Sequence, residues 1–365
     1  MKKTMKNKIK LFDPVVGSLE EKTILNVLRS KFWASGSGTG HVKTFENNFK
    51  NYVDSDDCIA VNSGTSALNL ALSLFDIKNK EVIVPSLTFV STVHAIMLNG
   101  GKPVFADVEE NSLCIDPKKI EPLITKKTRV ILPVHFGGMP CNIHKIKKIC
   151  EKNNLISIED AAHAAGSSYK NQKIGKHSTA VCFSFHPVKN LAMPTGGLIS
   201  LNGKNSKKFR ELLESRRWCG ITNRQDSFYD VKEMGMNYYM NEFSAAIGIV
   251  QLKKMDKLNQ KRKKIAKIYS KKINLDSKMP YNESCSYHLY WIQVKNRDQF
   301  RKKLIKKGIE TGIHYRPVHT FSMYKKNIDL PVTQKAGNEI VSIPIHPNLS
   351  DDEVQKIIDS INKFS

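Results

Sequence analysis

The chain predicts an α/β fold: a mainly parallel central sheet in a large domain, followed by a smaller C-terminal α+β domain. Three observations carry that reading. From about residue 53 to residue 201, short apolar runs alternate with helical patterns, as parallel βα units do. From Glu242 to about Tyr269 runs a long amphipathic stretch that turns lysine-rich and leads out of that region. Beyond it, strand-like and helix-like segments recur without the strict βα alternation. The boundary is placed at residue 250, giving a large domain with an N-terminal arm over 1–250 and a small domain over 251–365.

In order along the chain, strands are expected at 81–85, 103–106, 130–134, 155–158, 180–185 and 197–201. Each is a short apolar run bounded by turn residues. Between them 66–74, 90–98 and 143–152 carry apolar residues at helical spacing. A parallel sheet made this way has helices on both faces. In the C-terminal part, 287–294 alternates as a strand, 298–307 reads as a helix and 309–315 as another strand. A closing helix over 351–361 follows Pro347-Asn348-Leu349-Ser350.

At 365 residues the chain is long enough for a large buried core, and its composition is that of an ordinary globular protein. Its net charge of +24 is the outlier and favours anionic partners in general. The excess is mostly lysine scattered along the whole length, and no run interleaves with the aromatics of a nucleic-acid stacking surface. Neither a nucleic-acid partner nor a membrane partner is expected. Phosphorylated ligands would still feel the field. The seven cysteines include no CxxC pair, and Cys141-Asn142-Ile143-His144 lacks a second ligand pair, so no metal site is expected and the thiols read as reduced. The basic start Met1-Lys2-Lys3-Thr4-Met5-Lys6 is followed by Leu11-Phe12-Asp13-Pro14 where a leader needs an apolar core. No stretch approaches a membrane span. The expected location is the cytoplasm.

The chemistry centres on Lys189 in Cys182-Phe183-Ser184-Phe185-His186-Pro187-Val188-Lys189-Asn190 and Asp160 in Ile158-Glu159-Asp160-Ala161-Ala162-His163. Both follow strands, at the edge where open α/β sheets bind ligands. An amine there can condense with an aldehyde, and a nearby carboxylate can keep a pyridinium nitrogen protonated. That pairing is what pyridoxal 5'-phosphate needs. Burial would lower the lysine's pKa and make its free base accessible. His163 could lie over a cofactor ring or serve as an ordinary structural histidine. Asn62-Ser63-Gly64-Thr65-Ser66 precedes a helix and could hold a phosphate on its amides, or simply cap the helix through Thr65 or Ser66. Ser184 adds a hydroxyl near the same locus. Phe89 opens a helix after a strand and could stack on a flat ring or pack in the core.

Taken together, these residues make the chain resemble the DegT/DnrJ/EryC1/StrS family of sugar aminotransferases. The segments include Asn62 to Ala67, Glu81-Val82-Ile83-Val84-Pro85-Ser86-Leu87-Thr88-Phe89, Pro103-Val104-Phe105-Ala106-Asp107-Val108, and Val134-His135-Phe136-Gly137-Gly138. They continue through the Asp160 and Lys189 segments to Gly235-Met236-Asn237-Tyr238-Tyr239-Met240-Asn241-Glu242, so the resemblance runs nearly the full length. It implies the fold-type I, aspartate aminotransferase-like architecture. It also implies that Lys189 bonds the cofactor's aldehyde, Asp160 pairs with the ring nitrogen, and His163 sits near the ring oxygen. Gly64, Thr65 and Ser184 would bind the phosphate and Phe89 would stack on the ring. Asn237 would reach the phosphate of a neighbouring subunit, which makes the active enzyme a homodimer with its sites at the interface. The chain departs from the family at Asn190-Leu191-Ala192-Met193-Pro194-Thr195-Gly196-Gly197, where many members carry Thr-Thr-Gly-Glu-Gly-Gly. A branch with histidine in place of the lysine performs dehydration, and Lys189 argues against it.

By the same resemblance the reaction is a ping-pong transamination from L-glutamate to a nucleotide-linked keto-deoxysugar, in amino-sugar biosynthesis for a surface polysaccharide or glycan. The loop Trp33-Ala34-Ser35-Gly36-Ser37-Gly38-Thr39 would approach the sugar, with Trp33 and Ser35 as its contacts. His314, Tyr315 and Arg316 would meet the diphosphate or the donor carboxylate. A cyclitol or another ketone is the alternative acceptor, and a non-catalytic cofactor- or polyanion-binding relative is the alternative class.

Overall fold

A computed structural model describes residues 8–325 and 327–365. The basic start read at Met1 to Lys6 lies outside the described residues. In chain order the elements begin with α1 (Ser18–Ser30), α2 (His41–Val53), β1 (Asp57–Val61), α3 (Gly64–Ser73), β2 (Glu81–Pro85), α4 (Val90–Leu98) and β3 (Lys102–Ala106). They continue through β4 (Thr128–Ile131), α5 (Ile143–Lys152), β5 (Ile156–Asp160), β6 (Ser168–Tyr169), β7 (Gln172–Lys173), β8 (Ala180–Ser184), β9 (Gly197–Leu201) and α6 (Ser206–Arg216). Next come β10 (Ile221–Gln225), β11 (Phe228–Val231), α7 (Glu242–Lys272), β12 (Tyr290–Gln293), α8 (Arg297–Lys306), α9 (Pro331–Glu339), β13 (Ile340–Ile343) and α10 (Asp351–Phe364).

Among the described residues the main sheet has seven strands in the order β1-β9-β8-β5-β4-β2-β3. The run from β3 to β8 is parallel, whereas β9 lies antiparallel between β8 and β1. Strand alternation sends neighbouring side chains to opposite cores. On β8, Ala180 and Cys182 join one apolar cluster while Val181 and Phe183 join the other; on β2, Val82 and Val84 oppose Ile83. Both faces are therefore covered, as the near-continuous apolar strands require.

The C-terminal ends of the parallel strands meet helix starts on one side of the sheet. Ser63 caps α3 by accepting from the Ser66 amide at 3.1 Å, a contact worth about 1 kcal/mol. The cap is thus Ser63 rather than the Thr65 or Ser66 considered from sequence, and the helix begins at Gly64. Asn241 caps α7 by accepting from the Ser244 amide at 2.8 Å. That 31-residue helix packs on α1, α2 and α10 and runs unbroken through residue 250.

Two expectations need correction. Residues 309–315 form no strand: Ile309 bridges Ile9 and Gly312 bridges Ser342 as isolated pairs. The partner of β12 is instead β13, paired antiparallel from Tyr290 opposite Ile343 to Gln293 opposite Ile340. Secondly, the expected strand over 130–134 ends earlier, at Ile131, because Pro133 has no amide to continue the ladder. Helices α1, α2 and α6, strand β1 and the β10–β11 hairpin had no counterpart among the sequence expectations.

Candidate active site

A cavity of about 320 Å³ opens at the C-terminal edge of the parallel strands, bounded by the start of α3, the start of α4, the loops after β5 and β8, and the 314–315 segment. Lys189 lies at its floor. After β8 the chain turns through His186-Pro187-Val188, the Lys189 amide bonds the His186 carbonyl at 2.8 Å, and the lysine faces the cavity. Burial lowers its pKa to about 8, against the pull of Asp160 toward the charged form.

Asp160 ends β5 and is buried. Its Oδ1 accepts from the Ala162 amide at 3.0 Å and its Oδ2 from Thr92 Oγ1 at 2.8 Å. Burial pushes its pKa up, while the two donors and the Lys189 charge pull it back. Among the described residues no cationic nitrogen pairs with it directly, so this buried carboxylate is short of a cationic donor. His163 Nδ1 accepts from the Gly137 amide at 3.2 Å, which puts the ring proton on Nε2, facing Tyr315 Oη at 3.0 Å. Burial first, then Lys189 and His314, hold His163 well below the usual histidine range. It enters the cavity as a neutral ring.

At the other end of the cavity the Gly64 and Thr65 amides occupy the unpaired first turn of α3, where the helix dipole favours an anion. Ser184, the last residue of β8, stands against Gly64: a Cβ at that glycine would fall 2.7 Å from Ser184 Cβ. Gly197 similarly admits the Ser63 carbonyl, 2.3 Å from where its own Cβ would be. Phe89, the N-cap residue of α4, is 55% exposed at the mouth, with its ring 5.9 Å from Tyr315.

The structure brings Lys189, Asp160, His163, Gly64, Thr65, Ser184, Phe89, His314 and Tyr315 around one cavity. It places four others outside it. Arg316 turns away, donating to Thr320 Oγ1 and to the Thr320 carbonyl, in a neighbouring groove with Arg297 and His319. Trp33 donates from Nε1 to the Leu28 carbonyl at 3.3 Å and packs 6.0 Å from Phe243, and Ser35 Oγ pairs with Ser37 Oγ at 2.6 Å. Asn237 is exposed, its carbonyl accepting from Asn62 Nδ2 at 3.2 Å. The departing segment 190–197 is firmly tied: Asn190 Nδ2 donates to Asn259 Oδ1 and the Ser286 carbonyl, and Thr195 donates to the Asn62 carbonyl.

Sequence reasoning missed Thr92 and His288. Thr92 stands three residues after Phe89, one turn into a helix that was expected, so its position beside the cavity was readable. His288 offered no local signal: only the tertiary fold sets its Nε2 3.4 Å from Lys189 Nζ.

The family model described as DegT/DnrJ/EryC1/StrS aminotransferase matches residues 15–362. The chain belongs to this family. Bacillus subtilis SpsC, a spore coat polysaccharide biosynthesis protein, is 33% identical, with 95% of each chain covered. Helicobacter pylori PseC, an aminotransferase involved in the biosynthesis of pseudoaminic acid, superposes with a TM-score of 0.91 at 28% identity, covering 98% of this chain and 99% of PseC. Streptococcus pneumoniae Spr1654 in its PMP form gives a TM-score of 0.93 at 26% identity, with 98% of each chain covered, and its PLP form has also been solved. The fold is that of fold-type I enzymes, and the chain is a pyridoxal phosphate-dependent aminotransferase. Among the described residues no helix is long and apolar enough to cross a membrane.

The cavity's own chemistry fits that cofactor. Asp160 lacks the cationic partner a protonated ring nitrogen provides, the α3 amides and Ser184 form a cradle that a side chain at position 64 would fill, and Lys189 offers the amine. When bound, the cofactor supplies an electron sink that makes the substrate's Cα proton acidic. Lys189, whose amine lines the cavity, would be the base that moves that proton. Asp160 would pair with the ring nitrogen and favour its protonated form, and Phe89 and Tyr315 line the same cavity.

Proposed function

We propose that this aminotransferase moves the amino group of L-glutamate to the ketone of a nucleotide-linked keto-deoxysugar, in amino-sugar biosynthesis for a surface polysaccharide or glycan. The observation that carries the reading is the shared cavity of Lys189, Asp160 and the α3 cradle, whose mouth is lined by Phe89 and Tyr315. Flat rings offer apolar faces on which a sugar packs. The names of SpsC and PseC, tied to polysaccharide and pseudoaminic acid biosynthesis, point to the same substrate class.

In this reading Lys189 binds the cofactor and shuttles the proton, Asp160 pairs with the ring nitrogen, and His163 stands near the ring oxygen. Gly64, Thr65 and Ser184 hold the phosphate and Phe89 covers the ring. His314 and Tyr315 contact substrate, and Arg316, in the neighbouring groove, is offered to a diphosphate or carboxylate that extends there. Asn237 serves the phosphate of a partner subunit, and Trp33 and Ser35 face the sugar across the interface of a homodimer. Two features support a second copy: these three residues lie outside their own chain's cavity, and the neighbouring Phe228 and Met234 are 83% and 91% exposed. The enzyme is proposed to work in the cytoplasm, consistent with seven free cysteines.

The test is the absorbance of the protein with pyridoxal phosphate, before and after L-glutamate, beside Lys189→Ala, followed by a nucleotide-ketosugar panel read by mass spectrometry of the aminated product. A glutamate-driven spectral change that requires Lys189, with an aminated nucleotide sugar, is the expected result. Turnover restricted to a cyclitol ketone would overturn the substrate assignment. Light scattering that reports a monomer in the active preparation would overturn the interface.

A further inference from the structure

His288, in the segment leading into β12, is 3% exposed, and its Nε2 lies 3.4 Å from Lys189 Nζ, at the long end of hydrogen bonding. Its ring is stacked 5.5 Å from Phe12 at an interplanar angle of 15° and lies 4.5 Å from His163. The two segments are also tied together, because the Asn190 side chain donates from Nδ2 to the Ser286 carbonyl at 2.9 Å. The contact is therefore built into the fold from both sides.

The protonation of the pair follows from an atom with no partner. His288 Nδ1 is buried without a hydrogen bond among the described residues. A neutral imidazole carries one N–H and one lone pair. With the proton on Nδ1, a buried donor would be orphaned, a rare and costly arrangement. With the proton on Nε2, the ring donates toward Lys189. An ammonium has donors only and cannot accept that bond, whereas a neutral amine can. We infer that His288 is a positioning residue that donates to the cofactor-free Lys189 amine, holding it beneath the cavity as the neutral base. That is the form that condenses with an aldehyde and accepts a proton. The inference does not depend on which ketone is aminated.

The other titratable groups around the pair are Asp160 at the end of β5, His163 in the next turn, His186 after β8, His314 and Tyr315 across the cavity, and Arg262 on α7. Asp160 favours the ammonium. Burial of Lys189 opposes that preference, and burial likewise lowers the pKa of His163, His288 and His314.

The test is the pH profile of pyridoxal phosphate capture by apoprotein, followed by stopped-flow absorbance, for wild type, His288→Ala and His288→Gln. Wild type should reach half its maximal rate near pH 8. Alanine removes the donor and admits water that solvates an ammonium. The midpoint should rise by about one pH unit, read as roughly tenfold slower capture at pH 7. Glutamine keeps an N–H near the Nε2 position but loses the ring stack, and should stay within about twofold of wild type at pH 7. All three should converge at high pH, where the amine is free regardless. An unmoved midpoint in His288→Ala, an equal shift in His288→Gln, or a deficit that persists at high pH would each overturn the inference.

Discussion

Replacing Thr92 with valine should expose how the charge on Asp160 is kept. Thr92 is fully buried, and its Oγ1 gives Asp160 Oδ2 one of that carboxylate's two protein hydrogen bonds, the other coming from the Ala162 amide. Valine keeps the shape and removes the donor. A hydrogen bond to a charged group contributes about 1.5–3 kcal/mol, which corresponds to an upward shift of about one to two pH units in the Asp160 pKa. Burial already holds that pKa above the ordinary 3.8. Between 3.8 and the raised value the folded state binds a proton that the unfolded chain has released, so stability falls as pH rises through that window. Thr92→Val apoprotein should therefore melt well below wild type at neutral pH. On acidification the deficit should shrink toward the roughly 1 kcal/mol of a neutral hydrogen bond. Cofactor affinity, titrated by fluorescence across the same range, should fail about one to two units earlier on the acid side, because a protonated Asp160 no longer offers its charge to the ring nitrogen. A melting deficit independent of pH, together with an unmoved acid limb of binding, would refute the account.

Gly64→Ala should weaken cofactor binding by at least about tenfold while the fold persists, since the new Cβ would stand 2.7 Å from Ser184 Cβ in the cradle and something must shift; equilibrium dialysis and circular dichroism check the two halves. Arg217→Met should destabilise by about 3–5 kcal/mol in denaturant titration. That guanidinium is fully buried, bonds Glu46 Oε1 at 2.7 Å, and also holds the carbonyls of Ala60 and Ser37, so its loss leaves acceptors unpaired and frees the 35–39 loop.

The strand ends that carry Lys189 and Asp160 were legible because apolar runs of four to six residues, each followed by polar chemistry, can hardly be placed elsewhere than in a parallel sheet with its ligand edge at the C-terminal side. Direction was less so. Periodicity is the same for parallel and antiparallel strands, and only the connection from Ser184 to Gly197, at the short limit for a crossover, hinted that β9 returns antiparallel. Residues 309–315 show the opposite failure. Ile309, Ile313 and Tyr315 fall at the spacing of a strand face, yet the ladder beside β12 is taken by Ile340–Ile343, four buried residues too short to announce themselves against the helix before them. At the site, a residue was readable when its role depends on its own element, as with Gly64 at a helix start. It was unreadable when its role is conferred by a neighbour distant in sequence. His288 is such a residue: alone it is a buried histidine in an apolar run, and its meaning comes from standing 3.4 Å from an amine 99 residues away in the chain. Trp33, Ser35 and Asn237 were named only through the resemblance, and none of them lines that cavity in its own chain. If their partner is a second copy, nothing local in the sequence could register it.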